Sequence, residues 1–126
     1  MITLTKPEWI LMNALWKQSP LTLSGVIKAV EDQLDWKYTT YSTYLKRLCD
    51  KGIARYEILG RDKFYYPAME RKNCIHAESE SILDRITGTG VKDLLVCMIK
   101  DSDLSSDDMQ ELKDLFDELA DKEDKK

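Results

Sequence analysis

The stretch that decides the fold is Trp36-Lys37-Tyr38-Thr39-Thr40-Tyr41-Ser42-Thr43-Tyr44-Leu45-Lys46-Arg47-Leu48, continued by residues Ile53 to Pro67. Tyr41, Tyr44, Leu45 and Leu48 recur at i, i+3, i+4 and i+7, so the spacing predicts a helix that buries them together. Thr39, Thr40, Thr43, Lys46 and Arg47 fall on its other side. Small hydroxyls let a helix come close to phosphates and bases, and long cations neutralise phosphate or reach guanine. On its own such a face is equally a solvated surface. The hairpin pattern after residue 52 decides between the two. Ile53–Leu59 and Lys63–Tyr66 are rich in β-branched and aromatic residues, with Gly60-Arg61-Asp62 between them and Pro67 at the end. Arg61 and Lys63 give that hairpin a basic tip. A basic-faced helix joined directly to a basic-tipped hairpin predicts a winged helix that binds double-stranded DNA.

Upstream, Thr5 and Glu8 form a Thr-x-x-Glu capping box, with Leu4 and Trp9 at the staple positions. Trp9, Met12, Leu15 and Trp16 make the apolar stripe of a first helix that ends at residues 17–19, before Pro20. Thr22 caps a second helix over Leu23–Leu34. The recognition helix ends at Lys51-Gly52, where Gly supplies a left-handed cap. Downstream the pattern is helical throughout. A fourth helix covers Arg71–Ile86 and uses Ile75, Ile82, Leu83 and Ile86. Thr87-Gly88-Thr89-Gly90 breaks it. Val91, Leu94, Leu95, Met98 and Ile99 form a fifth helix. Ser105 and Asp108 cap a sixth, striped by Met109, Leu112, Leu115, Phe116 and Leu119, with a frayed charged tail from Asp121. The expected fold is therefore mainly α with a small β-hairpin. A winged helix-turn-helix occupies residues 1–70, and a helical dimerisation region with a charged tail occupies 71–126. Pairing with a second copy would cover the apolar stripes; an intramolecular three-helix cap is the alternative.

Charge is divided along the chain. The 126 residues carry a net charge of -4, yet residues 1–67 hold 10 Lys and Arg against 7 Asp and Glu, while residues 68–126 hold 9 against 16. Phosphate binding depends on the local patch rather than the total. No apolar run approaches a membrane span and no signal core opens the sequence, so a cytoplasmic protein is expected. Cys49, Cys74 and Cys97 are widely spaced and His76 is the single histidine, which predicts buried free thiols and no metal site. A Gly-rich phosphate loop, a nucleophile elbow and a metal-ligand helix are all missing, so neither an enzyme nor a bound cofactor is expected. Two further readings stay open: a winged helix that serves as a protein-interaction adaptor, and a thiol-responsive regulator.

Taken in order, these marks resemble the penicillinase-repressor family, the BlaI/MecI/CopY-type transcriptional repressors. They are Leu4-Thr5-x-x-Glu8-Trp9-x-x-Met12 with Leu15-Trp16, Trp36 through Leu48, Lys51-Gly52, Gly60-Arg61, Tyr65-Tyr66-Pro67, and Leu104-Ser105-x-x-Asp108 with Glu111-Leu112. The resemblance implies a homodimer on a palindromic operator that blocks transcription of resistance genes such as a β-lactamase. It places Thr40, Thr43 and Arg47 at DNA-contacting positions and Arg61 at the wing arginine. It also implies release by a regulatory protease acting in the fifth helix. The cut bond, Asn-Phe in the β-lactam-responsive members, aligns with Cys97-Met98. Copper-responsive members carry clustered C-terminal cysteines, and this chain has none after Cys97. Lys37-Tyr38 stands where Ser-Pro is common.

Overall fold

In the computed structural model, which describes residues 3–86 and 89–124, the order is α1 (Lys6–Lys17), α2 (Leu23–Val30), α3 (Tyr38–Asp50), β1 (Ala54–Leu59), β2 (Asp62–Pro67), α4 (Arg71–Ile86), α5 (Val91–Asp101) and α6 (Ser106–Asp124). The capping box at α1 forms as read. The Thr5 amide donates to Glu8 Oε1 (2.9 Å), and the Glu8 amide donates to Thr5 Oγ1 (3.4 Å). Thr22 Oγ1 caps α2 by accepting from the Gly25 amide at 3.1 Å. That helix stops at Val30, short of the expected Leu34. Residues 31–33 turn instead, and the Leu34 carbonyl accepts the Tyr41 hydroxyl at 3.0 Å. The turn brings Trp36 back over α3, which starts at Tyr38.

The core of the first part gathers Leu11, Met12 and Leu15 from α1, Val26 and Val30 from α2, and Tyr41, Leu45 and Leu48 from α3. Ile53, Ala54, Tyr65 and Cys74 complete it, and none of these is more than 5% exposed. Each buried Leu, Ile or Val contributes about 1.5–3 kcal/mol. Gly52 adopts φ 78°, the left-handed cap expected at the end of α3. Strands β1 and β2 pair antiparallel from Ala54–Pro67 to Leu59–Asp62, so the turn is only Gly60-Arg61 and Asp62 belongs to β2. Leu21 adds a bridge the sequence did not announce. Its amide donates to the Tyr65 carbonyl (3.1 Å) and its carbonyl accepts the Tyr65 amide (2.8 Å). The wing is thereby fastened to the start of α2.

Two compact units emerge, Met1–Arg85 and Ile86–Lys126. As a packing unit the winged helix thus runs past residue 70. Cys74 of α4 is wholly buried in its core, and Trp16 Nε1 donates to the Met69 carbonyl at 2.9 Å. Ile75 and Leu83, which mark the apolar stripe of α4, are 43% and 46% exposed.

Of the break at residues 87–90, positions 87 and 88 lie outside the described residues. Gly90, at φ 86°, precedes α5. In the second unit α6 starts with the expected box: the Asp108 amide donates to Ser105 Oγ (3.0 Å) and the Ser105 amide to Asp108 Oδ2 (3.3 Å). Residues 121–124 continue this helix rather than fraying, with a Lys122–Glu118 ion pair at 3.5 Å. Neither α5 nor α6 buries a residue among those described. Leu95, Val96, Met98, Ile99, Met109, Leu115, Phe116 and Leu119 are all exposed. Cys97 is exposed as well and Cys49 is half-buried, so only Cys74 is the buried thiol expected of all three. Cys97 is exposed because α5 buries none of its residues. No helix among the described residues is long and apolar enough to cross a membrane, and no group of three or more His, Cys, Asp or Glu among them could hold a metal ion.

Candidate nucleic-acid interface

Helix α3 presents its polar residues because Tyr41, Leu45 and Leu48 commit the opposite side to the core. Thr39, Thr43, Lys46 and Arg47 are exposed and Thr40 is half-buried. The Thr43 hydroxyl donates to the Thr39 carbonyl at 2.9 Å, which spends its hydrogen within the helix and leaves its oxygen outward as an acceptor. At the N-terminus of α3, Lys37 is the N-cap and makes no side-chain cap bond. A helix start of this kind leaves first-turn N–H groups for an anion.

The wing stands beside α3 and closes two grooves. One, of about 460 Å³, is lined by Tyr38 and Ser42 of α3, Arg61, Asp62 and Lys63 of the wing, and Thr22 and Ser24 at the start of α2. The other, of about 260 Å³, is lined by Ser42, Thr43, Lys46, Cys49 and Asp50 of α3 with Tyr56, Lys63 and Tyr65 of the hairpin. Thr43, Lys46, Arg61 and Lys63 are therefore brought together around one continuous face, with Ser42, Lys63 and Tyr65 common to both grooves. Thr39, Thr40 and Arg47 line neither. Arg47 lies on the opposite flank, its guanidinium carbon 4.9 Å from the Tyr44 ring centre.

Electrostatics favour an anion here. Among the described residues the ion pairs use Lys51, Arg55, Lys72, His76 and Lys122, and none uses Lys46, Arg47, Arg61 or Lys63. Lys63 sits over the Tyr56 ring at 4.5 Å, a contact that leaves its charge uncancelled. Asp50 and Asp62 are the carboxylates in the grooves. Burial pushes the Cys49 thiol above its ordinary range, Asp50 pushes it further, and Lys63 offsets part of this. A thiol held protonated is a poor nucleophile.

Tyr38, Ser42, Thr22 and Ser24 went unnoticed as interface residues. Ser42 carried a usable signal, since it lies one turn before Lys46 on the same side. Thr22 and Ser24 carried none, because their place beside the wing depends on the Leu21–Tyr65 bridge. Lys51 was also missed. Its ammonium meets both Glu8 oxygens, at 2.9 and 2.8 Å, and ties the end of α3 to the start of α1. Glu8 is wholly buried. Burial alone would raise its carboxyl, but the Lys51 ammonium and the Thr5 hydrogen bonds outweigh that and hold it below the ordinary value.

The sequence profile of the family described as Penicillinase repressor matches residues 4–118. The methicillin resistance regulatory protein MecI of Mammaliicoccus sciuri is 24% identical over 113 residues, covering 90% of this chain and 92% of MecI. The penicillinase repressor of Bacillus licheniformis is 27% identical over 111 residues, covering 88% and 87%. Among solved structures, monomeric Bacillus licheniformis BlaI in complex with the blaP half-operator superposes with a TM-score of 0.50 at 28% identity, covering 57% of this chain and 88% of that one. The DNA-binding domain of the repressor BlaI superposes with a TM-score of 0.51, also at 28% identity, covering 56% and 85%.

Proposed function

The chain belongs to the penicillinase repressor family, and from that premise we propose that it is a cytoplasmic, dimeric transcriptional repressor of resistance-type genes such as a β-lactamase. The observation that carries the reading is the cluster of unpaired cations around the α3–wing grooves. Helix α3 enters a major groove and reads bases with Thr39, Thr40, Thr43 and Lys46. Arg47 reaches a guanine or a phosphate on one flank. On the other, the groove between Ser42 and the wing receives a phosphate strand held by Arg61 and Lys63. The BlaI relative whose structure was solved with a half-operator supports binding to operator DNA.

The second unit supplies the pairing. Its exposed apolar residues would stay in water in a single chain, and a second copy covers them. Two recognition helices about 34 Å apart then fit a palindromic operator, and occupancy of a promoter blocks transcription. A regulatory protease cutting at Cys97-Met98 would end repression by breaking α5. Both residues are exposed, but the bond lies inside a helix, so cutting needs local unwinding. The chemistry offered is binding rather than catalysis.

Footprinting of the wild-type protein on promoter DNA upstream of its own gene tests the proposal. Protection of two related half-sites one helical turn apart is expected. Uniform weak protection with no preferred site would contradict it.

A further inference from the structure

Arg47, like Lys63, is held over an aromatic ring. Its guanidinium lies 4.9 Å from the Tyr44 ring centre. Tyr44 is also stacked on Trp36, with ring centres 4.4 Å apart and planes 26° apart. Trp36 in turn makes a T-shaped contact with Tyr41 at 5.3 Å and 63°. Tyr41 is 1% exposed and anchored by its hydroxyl to the Leu34 carbonyl. A column of three rings therefore runs from the core to the one interface arginine outside the grooves.

We propose that Tyr44 and Trp36 are positioning residues that hold the Arg47 guanidinium ready for DNA. The proposal rests on the DNA-binding reading above. An aromatic mount does what a carboxylate partner could not. It fixes the plane of the guanidinium through its π face and leaves the N–H edges free for a phosphate or a guanine. A carboxylate would occupy those same edges and cancel the charge. The column also explains the turn before α3: Trp36 must fold back over α3 to back Tyr44, and residues 31–33 turn to allow it.

A double-mutant cycle on the footprinted promoter fragment, read by fluorescence anisotropy at one salt concentration, tests the proposal. Tyr44→Leu should weaken binding about two- to fivefold per half-site, the size of an exposed cation–π contact. Tyr44→Phe, which keeps the ring, should bind as wild type. Tyr44→Leu added to Arg47→Ala should cost nothing further, because Tyr44 acts only through Arg47. Tyr44→Met, similar in bulk but without a π face, should match Tyr44→Leu and serves in its place if that variant does not fold. Wild-type affinity in Tyr44→Leu, or the same loss from Tyr44→Leu with and without Arg47, overturns the proposal while the DNA-binding reading survives. No specific binding by the wild-type chain overturns both.

Discussion

Glu8 shows how one residue outside the candidate interface braces the helix that carries it. It caps α1 and, wholly buried, grips Lys51 at the end of α3. Replacing Lys51 by Met would leave a buried carboxylate without its cation. Breaking a fully buried pair costs roughly 3–5 kcal/mol. Because Lys51 is 37% exposed, about 2 kcal/mol is expected, measured as a fall in ΔG of unfolding in urea. The Glu8 carboxyl is held below its ordinary value, so its contribution is complete above about pH 4.5 and is lost as pH falls through the lower folded-state value. Wild type should therefore lose stability faster than Glu8→Gln as pH drops below 4.5. At the interface, Thr43→Ala and Arg47→Ala should each weaken specific binding by about 1–3 kcal/mol, read by gel shift at fixed salt. The capping role of Glu8 was legible, because Thr-x-x-Glu is a local pattern. Its bond to Lys51 was not, because the partners are 43 residues apart and only packing of α1 against α3 joins them.

At the scale of elements, the wing is set by its shortest part. Its turn is two residues, and Gly60 sits at φ 66° with nothing within 4 Å of where a Cβ would lie. Gly60→Ala should therefore cost about 1 kcal/mol through backbone strain alone, seen as a lower Tm with unchanged spectra. Arg61→Ala should weaken binding evenly across DNA sequences. It should also reduce the slope of log K against log salt by about one. Helix α3 was legible from its 3.6-residue spacing, and the hairpin from β-branched and aromatic residues on either side of Gly60-Arg61. The end of α2 was not. Apolar spacing continues through Leu34, while the chain turns at residue 31 so that Trp36 can stack on α3. Similarly, α4 contains enough apolar residues to suggest a broad buried side, yet only Cys74 is fully buried.

For the whole molecule, the division of charge in the sequence matches a division of labour. The first unit completes its own core and carries the cations, and the second leaves its apolar residues exposed. Pairing through the second unit predicts that Phe116→Asp shifts the protein from dimer to monomer in sedimentation velocity. Affinity for a full operator should fall much more than affinity for a half-site. The apolar stripes were legible residue by residue. What covers them was not, since periodicity says which side is apolar and nothing about what it meets. The central claim, that the α3–wing face binds operator DNA through its cations, is tested most directly by titrating salt against affinity for promoter DNA from the protein's own locus. Counterion release predicts a linear fall of log K with log salt, at a slope of roughly 0.9 per phosphate neutralised, and a shallower line for Arg61→Ala. A flat response, or no affinity for that DNA at low salt, would contradict the account and favour a winged helix that binds protein instead.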